Sequence, residues 1–245
     1  MTHLVFIHGA WASGWAWKPL LPYINLPNTQ CHVINLPDSG SYEASLLSQA
    51  GIEEYKSHVL NTLTKIKGPA WFIAHSGGGL TATAVAEQIP NKVAGIIYVA
   101  GMMLPSGMSF SELCQTVAQK GINTQGISPY LQNTQYGTKV KEEGIREIFL
   151  HDASEEAIQL AKENMVVQPN ASRLITINWT EEKAGRIPKY YIVAERDRSL
   201  VLELQQEMIR LVTPTAAATL DCGHFPQIVI PEQLADVIME FISNQ

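Results

Sequence analysis

Short runs of consecutive apolar residues recur along the chain, and segments of helical periodicity separate them. Runs of about four to eight residues without polar alternation are typical of strands buried on both faces of a sheet. Strands that alternate with helices need crossover connections, so the pattern predicts a mostly parallel sheet flanked by helices. The predicted strands are Leu4–Ile7, Cys31–Leu36, Ala70–Ala74, Val93–Ala100, Tyr190–Ala194 and, more weakly, Ala216–Leu220.

Residues 105–185 interrupt this alternation, because they lack a convincing buried strand and are rich in Asn, Gln, Gly and Ser. Helical periodicity occurs in three stretches of the segment: Ser109–Gln119, Lys139–Leu150 and Ser154–Met165. An insertion of this length between two sheet strands is not a plain loop. We therefore predict an α/β core formed by residues 1–104 and 186–245. Residues 105–185 are predicted to form a small, mainly helical cap (lid) over the sheet edge.

Composition excludes several classes of protein. Charged residues make up 16% of the 245 residues and the net charge is -6. Without a dense Lys/Arg stripe, a nucleic-acid partner is not expected. The longest apolar stretch, residues 94–104, has 11 residues, whereas a membrane-spanning helix needs about 20. With three widely spaced cysteines and no recognisable signal peptide, the sequence predicts a cytoplasmic protein.

A serine lies in a glycine-rich turn directly after the third predicted strand. Residues 74–79 read Ala-His-Ser-Gly-Gly-Gly and precede a predicted helix. A serine at the tip of a sharp strand-to-helix turn is a nucleophile elbow, and its neighbours must be small, as Ala74 and Gly78 are. The alternative is a glycine-rich turn with a helix-capping serine. The favoured prediction makes Ser76 a nucleophile.

A serine hydroxyl needs a base to become a nucleophile. Of the seven histidines, His224 fits best, because it follows the last predicted strand and precedes the last predicted helix. A parallel sheet brings such loops to the same edge as Ser76. Asp197 follows the fifth predicted strand and is the favoured acid to orient the imidazole. Glu195 and Asp221 are the competing carboxylates.

These features together resemble the α/β-hydrolase superfamily over essentially the whole chain. Residues 6–17, Phe-Ile-His-Gly-Ala-Trp-Ala-Ser-Gly-Trp-Ala-Trp, resemble the branch of plant methyl esterases and hydroxynitrile lyases with their bacterial relatives. The resemblance implies the α/β-hydrolase fold with a compact helical cap, and chemistry on small esters or cyanohydrins without a metal or other cofactor. The order Ser76, Asp197, His224 is also that of the superfamily.

The resemblance further implies an oxyanion hole made by two backbone amides. The first loop of the fold supplies one donor, here the amide of Ala10, and the residue after the nucleophile supplies the other, here Gly77. Trp11, Met103 and Phe225 are candidates for the wall of the substrate pocket, although each is also explained by simple packing. His8 is expected to bind loop backbone.

Two positions separate esterases from lyases within this branch. Lyases that resemble this chain carry Thr where Gly9 stands and Lys directly after the catalytic His, where this chain has Phe225. Without that cation, departing cyanide is poorly stabilised, so ester hydrolysis through an acyl-enzyme on Ser76 is favoured. A lyase, a ligand-sensing protein and a cofactor-free dioxygenase remain the alternatives. A small-molecule ester is the expected partner, and the oligomeric state is left open, with a homodimer as one candidate.

Overall fold

Six parallel strands form the central sheet of this computed structural model, which describes residues 1–37, 50–171 and 175–244. The strands are β1 (Thr2–Ile7), β2 (Thr29–Val33), β3 (Ala70–His75), β4 (Val93–Val99), β8 (Lys189–Ala194) and β9 (Ala216–Leu220). The strand order is β2-β1-β3-β4-β8-β9, and each neighbouring pair is parallel. The predicted parallel α/β sheet is therefore confirmed. The second strand ends at Val33, earlier than predicted. The apolar run in the sequence is longer than the strand because Ile34 and Leu36 are buried in the loop that follows it.

Helices cover both faces of the sheet. The helices that flank the sheet are α1 (Ile52–Leu63), α2 (Gly78–Gln88), α6 (Leu202–Leu211), α7 (Pro226–Val229) and α8 (Pro231–Ser243). Alternate residues of β1 enter different hydrophobic clusters: Val5 belongs to the cluster that includes side chains of α1, α2 and α6, whereas Leu4 belongs to the cluster that includes side chains of α8. Because both faces are buried, the strands lack polar alternation, and this explains the sequence pattern.

The segment between β4 and β8 contains helices and a second, small sheet. Its helices are α3 (Phe110–Ala118), α4 (Glu142–Gly144), which continues as a π-helix (Ile145–Phe149), α5 (Glu155–Asn164) and a π-helix (Glu181–Gly185). The antiparallel strands β5 (Leu131–Asn133), β6 (Gly137–Val140) and β7 (Gln168–Pro169) form the sheet. These strands were not predicted, because strands of two to four residues carry too little periodicity. Lys139 lies in β6, so the predicted helical stretch begins later than expected.

Parts of the predicted core and cap fall outside the described residues. These parts are residues 38–49 and 245 of the core and residues 172–174 of the cap. Among the helices of the described ranges, none has the length and apolar character needed to cross a membrane.

Candidate active site

Ser76 lies in the tight turn that joins β3 to α2. Its φ of 50° is positive, a conformation that is costly for a residue with a side chain,. The turn is held by backbone hydrogen bonds from Ser76 N to Val99 O (3.2 Å) and from Met102 N to Ser76 O (2.9 Å). A Cβ at Gly78 would lie 2.6 Å from His8 O. Only glycine therefore fits two residues after the serine.

A chain of hydrogen bonds links Ser76 to two buried side chains. Ser76 Oγ lies 3.1 Å from His224 Nε2, and His224 Nδ1 lies 2.6 Å from Asp197 Oδ2. The other oxygen of Asp197 accepts hydrogen bonds from the amides of Ser199 (2.7 Å) and Leu200 (2.9 Å). Because a carboxylate only accepts, Nδ1 of His224 carries the proton and Nε2 is left to accept from the serine hydroxyl.

The competing carboxylates lie elsewhere. Asp221 forms an ion pair with Arg196 at 2.6 Å and its side chain is 78% exposed. Glu195 is exposed as well, whereas Asp197 is buried. Among these three carboxylates, Asp197 is the one in hydrogen-bond contact with His224. The two loops after β8 and β9 thus bring the acid and the histidine to the edge where Ser76 lies.

His75 makes a contact that the sequence did not predict. Its Nε2 donates a hydrogen bond to His224 O at 2.7 Å, and the two imidazole rings lie 4.8 Å apart. Burial holds the pKa of His75 well below its ordinary value. His75 is therefore neutral, with its proton on Nε2. By contrast, His8 donates from Nδ1 to Gly9 O and accepts from Leu36 N, in agreement with its expected backbone role.

The backbones of Ala10 and Gly77 face the space beside Ser76. Both residues line the same cavity as the serine, and a Cβ at Gly77 would lie 3.8 Å from Ala10 N. Within the described ranges, neither amide donates to a protein acceptor. Gly77 is the N-cap residue of α2, where amide groups lack intrahelical partners and can bind a negative charge. The backbones of Ala10 and Gly77 therefore lie close to each other beside Ser76.

Trp11 connects the first loop to the segment between β4 and β8. Its φ is 57°, and its backbone is held from both sides by Gln168 Oε1, which accepts from Trp11 N (3.0 Å), and Val166 N, which donates to Trp11 O (3.0 Å). The indole Nε1 donates to Thr138 O at 3.1 Å. These bonds fix the residue that directly follows Ala10, and so they fix the loop whose amide faces Ser76.

A cavity of about 620 Å³ opens beside Ser76 and His224. This volume is in the range of pockets for small organic ligands. Its apolar lining includes Trp11, Leu36, Leu80, Ile127, Phe149 and Ile175. Its polar lining includes Ser111, Thr124, Gln125, Ser128 and Gln168. Among the lining residues that the structure describes there is no Asp, Glu, Lys or Arg.

The three predicted pocket residues have different positions. Trp11 lines the cavity, but Met103 and Phe225 are not among its described lining residues. Both are 1% exposed and belong to hydrophobic clusters. Met102, next to Met103, lines the cavity instead. Phe225 packs against the ring of His75 at 4.6 Å.

No group of His, Cys, Asp and Glu side chains in the described ranges is arranged to hold a metal ion.

A parallel sheet with a serine on a strand–turn–helix, next to a histidine and an aspartate from later loops, is the arrangement of the α/β-hydrolase fold. The chain belongs to the alpha/beta hydrolase family, whose model matches residues 4–237. The superfamily resemblance is thereby confirmed.

Relatives are found in the expected branch. A pyrethroid hydrolase of Sphingobium wenxiniae is 26% identical over 98% of this chain and 88% of its own. Methylesterase 7 of Arabidopsis thaliana is 24% identical over 96% of this chain and 94% of its own. The crystal structure of a pyrethroid hydrolase from Sphingobium faniae JZ-2 has a TM-score of 0.85 at 25% identity, covering 99% of this chain and 97% of that one.

Proposed function

We propose that this chain is a carboxylic ester hydrolase that works through an acyl-enzyme on Ser76. The observation that carries the proposal is the chain of hydrogen bonds from Ser76 through His224 to Asp197. Ser76 and His224 of this chain line the cavity. The esterase relatives support the same reaction class.

In the first half of the reaction, His224 Nε2 takes the proton of Ser76 as Oγ attacks the ester carbonyl. The carbonyl oxygen becomes an oxyanion that the amides of Ala10 and Gly77 can bind. Each such donor lowers the barrier by about 2.7–4 kcal/mol. His224 then returns the proton to the departing alcohol, which leaves the acyl group on Ser76.

In the second half, the same imidazole takes a proton from water as the water attacks the acyl-enzyme. His224 then gives this proton to Ser76 Oγ as the acyl–Oγ bond breaks, which releases the acid and restores the hydroxyl. Asp197 stabilises the imidazolium that forms in each half and keeps the proton on Nδ1. The amides of Ser199 and Leu200, both on Asp197 Oδ1, hold the carboxylate in this orientation.

We further propose that residues 105–185 act as a cap over a core of residues 1–104 and 186–245, and that the cap selects the substrate. Phe110, Ile127 and Phe149 of this segment line the cavity, whereas Ser76 and His224 come from the core. The described part of the lining carries no Asp, Glu, Lys or Arg, and this favours a neutral ester over one that carries a carboxylate. The cytoplasmic location that we propose is consistent with the unpaired thiols of the three cysteines.

The hydroxynitrile-lyase alternative is disfavoured by the same lining. Departing cyanide needs a cation near the base, yet no Lys or Arg lines the cavity within the described ranges, and Phe225 follows His224. A ligand-sensing protein on this fold would bind the same neutral molecules without appreciable turnover. The turnover number therefore separates a sensor from an enzyme.

The test is hydrolysis of p-nitrophenyl esters from acetate to octanoate by the wild type, Ser76→Ala and Ser111→Ala. Ser111 lines the same cavity but has no hydrogen bond to His224, so its variant is the matched control. We expect Ser76→Ala to lose about four or more orders of magnitude in kcat while Ser111→Ala remains active. A folded wild type that cleaves none of these esters would contradict this activity, and cyanohydrin cleavage would be measured next.

Covalent labelling gives a second readout of the nucleophile. An organophosphorus probe should add once to the wild type, and peptide mass spectrometry should place the adduct on Ser76. An adduct on another serine would overturn the assignment of the nucleophile.

Gel filtration of the same samples tests the homodimer.

A further inference from the structure

Asp152 reaches from the predicted cap to the turn that carries His224. Its Oδ2 accepts a hydrogen bond from Gly223 N at 2.6 Å, and Gly223 directly precedes His224. The Asp152 side chain is 7% exposed. Its second oxygen, Oδ1, is buried and has no hydrogen-bond partner among the described residues. Burying a carboxylate costs free energy unless hydrogen bonds or an opposite charge compensate it.

The side chains of His151 and Asp152 lie close to the backbone of Gly223. A Cβ at Gly223 would lie 2.7 Å from Asp152 Oδ1 and 2.9 Å from His151 Nε2. Any larger residue would therefore push the cap away from the turn. The glycine before the histidine thus has a physical reason, which is that two side chains of the cap pack directly against its backbone.

The neighbouring residue, His151, contacts the loop after β8, which carries Asp197. Its Nε2 lies 2.9 Å from Arg196 O and donates to it, and Arg196 directly precedes Asp197. The guanidinium of Arg196 in turn binds Asp221 O at 2.9 Å and contacts Asp152 Oδ2 at 3.5 Å. Two consecutive cap residues therefore hold the residue before the acid and the residue before the base.

The same segment also touches the imidazole of His224. Phe149, the last residue of the π-helix Ile145–Phe149, stacks on that ring at 5.2 Å with an interplanar angle of 18°. The segment 149–152 therefore contacts the ring of the base and both supporting loops. Asp152 itself is not among the described residues that line the cavity, so its removal need not disturb substrate contacts.

We propose that Asp152 is a positioning residue for the reaction, and that it holds the Gly223 amide so that His224 Nε2 stays in reach of Ser76 Oγ. This inference rests on the proposed esterase function. A carboxylate that accepts a backbone amide is among the stronger hydrogen bonds in proteins. Its loss frees the turn, so the base spends less time in the reactive position, while the substrate binds as before.

The experiment compares Asp152→Ala and Asp152→Asn with Glu155→Ala as the matched control. Glu155 is an exposed carboxylate of the predicted cap, three residues after Asp152, and pairs with Arg146. We expect Asp152→Ala to lower kcat about 10- to 100-fold with KM changed less than about twofold. Asp152→Asn keeps an oxygen that accepts from Gly223 N, so it should retain a larger share of kcat. Glu155→Ala should match the wild type.

A lower melting temperature with unchanged kcat in Asp152→Ala would overturn the inference, since the residue would then be structural only. Equal losses of kcat in Asp152→Ala and Asp152→Asn would overturn the inference as well. If Asp152→Ala does not fold, the Asn variant carries the kinetic comparison with the wild type, and its unchanged kcat would count against the inference.

A spectroscopic readout separates this inference from the proposed function. Proton NMR of the wild type should show the hydrogen-bonded Nδ1 proton of His224 far downfield, and the signal should broaden or shift in Asp152→Ala. This signal does not depend on turnover. If no ester is cleaved but the signal responds, the proposed function fails, while the effect of Asp152 on the position of His224 stands. If esters are cleaved and neither the signal nor kcat responds, the positioning role fails alone.

Discussion

The imidazole of His75 donates a hydrogen bond from Nε2 to the backbone carbonyl oxygen of His224, over a distance of 2.7 Å. His75 directly precedes Ser76, so this bond joins the elbow of the proposed nucleophile to the loop of the proposed base. The His75 ring is 1% exposed and neutral, because burial lowers its pKa. The two loops are thus coupled independently of the contact between Ser76 and His224.

We predict that His75→Ala lowers kcat about 10-fold with KM nearly unchanged. A net hydrogen bond contributes about 0.5–1.5 kcal/mol, and His75 is not among the described residues that line the cavity. His75→Gln places an amide donor at a similar reach and should recover part of the loss. Steady-state kinetics of both variants provide the measurement. A rise in KM as the main effect would show that the residue acts on binding instead.

We predict that Asp197→Asn lowers kcat by about 10³–10⁴-fold with little change in fold. The amide oxygen can still accept from Ser199 N and Leu200 N, which preserves the loop. The amide nitrogen then faces His224 Nδ1, and this stabilises the wrong tautomer of the imidazole. Kinetics together with circular dichroism check both parts. Near wild-type kcat in a folded variant would mean that another carboxylate is the acid.

We predict that Gly9→Ala lowers kcat by about 10- to 100-fold, because a Cβ at this position would lie 2.7 Å from Ser76 Cβ and 3.1 Å from His75 O. Either the serine or the first loop must shift, and a displacement of about 1 Å is costly for catalysis. A matched control is Gly68→Ala, where a Cβ meets nothing within 4 Å, although its φ of 93° adds some strain to the fold. Kinetics normalised to folded enzyme distinguish the two changes.

We predict that Glu207→Gln destabilises the protein at pH 7 but not at strongly acidic pH. Hydrogen bonds from Arg210 and Lys120 lower the pKa of Glu207 from 4.5 to about 2. The folded state therefore binds the proton less readily than the unfolded chain. The stabilisation is present above pH 4.5 and is lost as the pH falls towards 2. Both cations are more than half exposed, so screening by water limits the effect to about 1 kcal/mol.

Urea unfolding at several pH values measures this difference in the free energy of unfolding between wild type and Glu207→Gln. The gap should narrow from pH 5 downwards, with kcat at pH 7 unaffected, since Glu207 lies on α6 and is not among the described cavity residues. A gap that stays constant over the acidic range would show that the loss comes from packing.

The sheet and the place of the site could be predicted from the sequence because each rests on local chain patterns. Buried parallel strands are continuous apolar runs, and a serine between small residues after such a run marks the elbow. Asp197 and His224 each follow a strand, so the parallel topology alone places them at the edge with Ser76. Their catalytic roles, and those of Ala10 and Gly77, stay predictions.

Contacts between distant segments could not be predicted, because no local pattern encodes them. The bond from His75 to His224 O and the bond from Asp152 to Gly223 N join residues 149 and 71 positions apart. The strands β5 to β7 were missed for a related reason, since such short strands are defined by their pairing partners. The positions of Met103 and Phe225 likewise depend on which way a loop side chain turns.

The separation of Ser76 and His224 by 148 positions has a consequence for refolding. Contacts between residues so far apart form late, because closing a long loop costs entropy before any contact repays it. The proposed reactive pair meets only when β3 and the strand β9 that precedes His224 occupy one continuous sheet. Recovery of ester cleavage after dilution from denaturant should therefore lag behind recovery of the helical circular dichroism signal. Enzymatic turnover would then report the completion of folding.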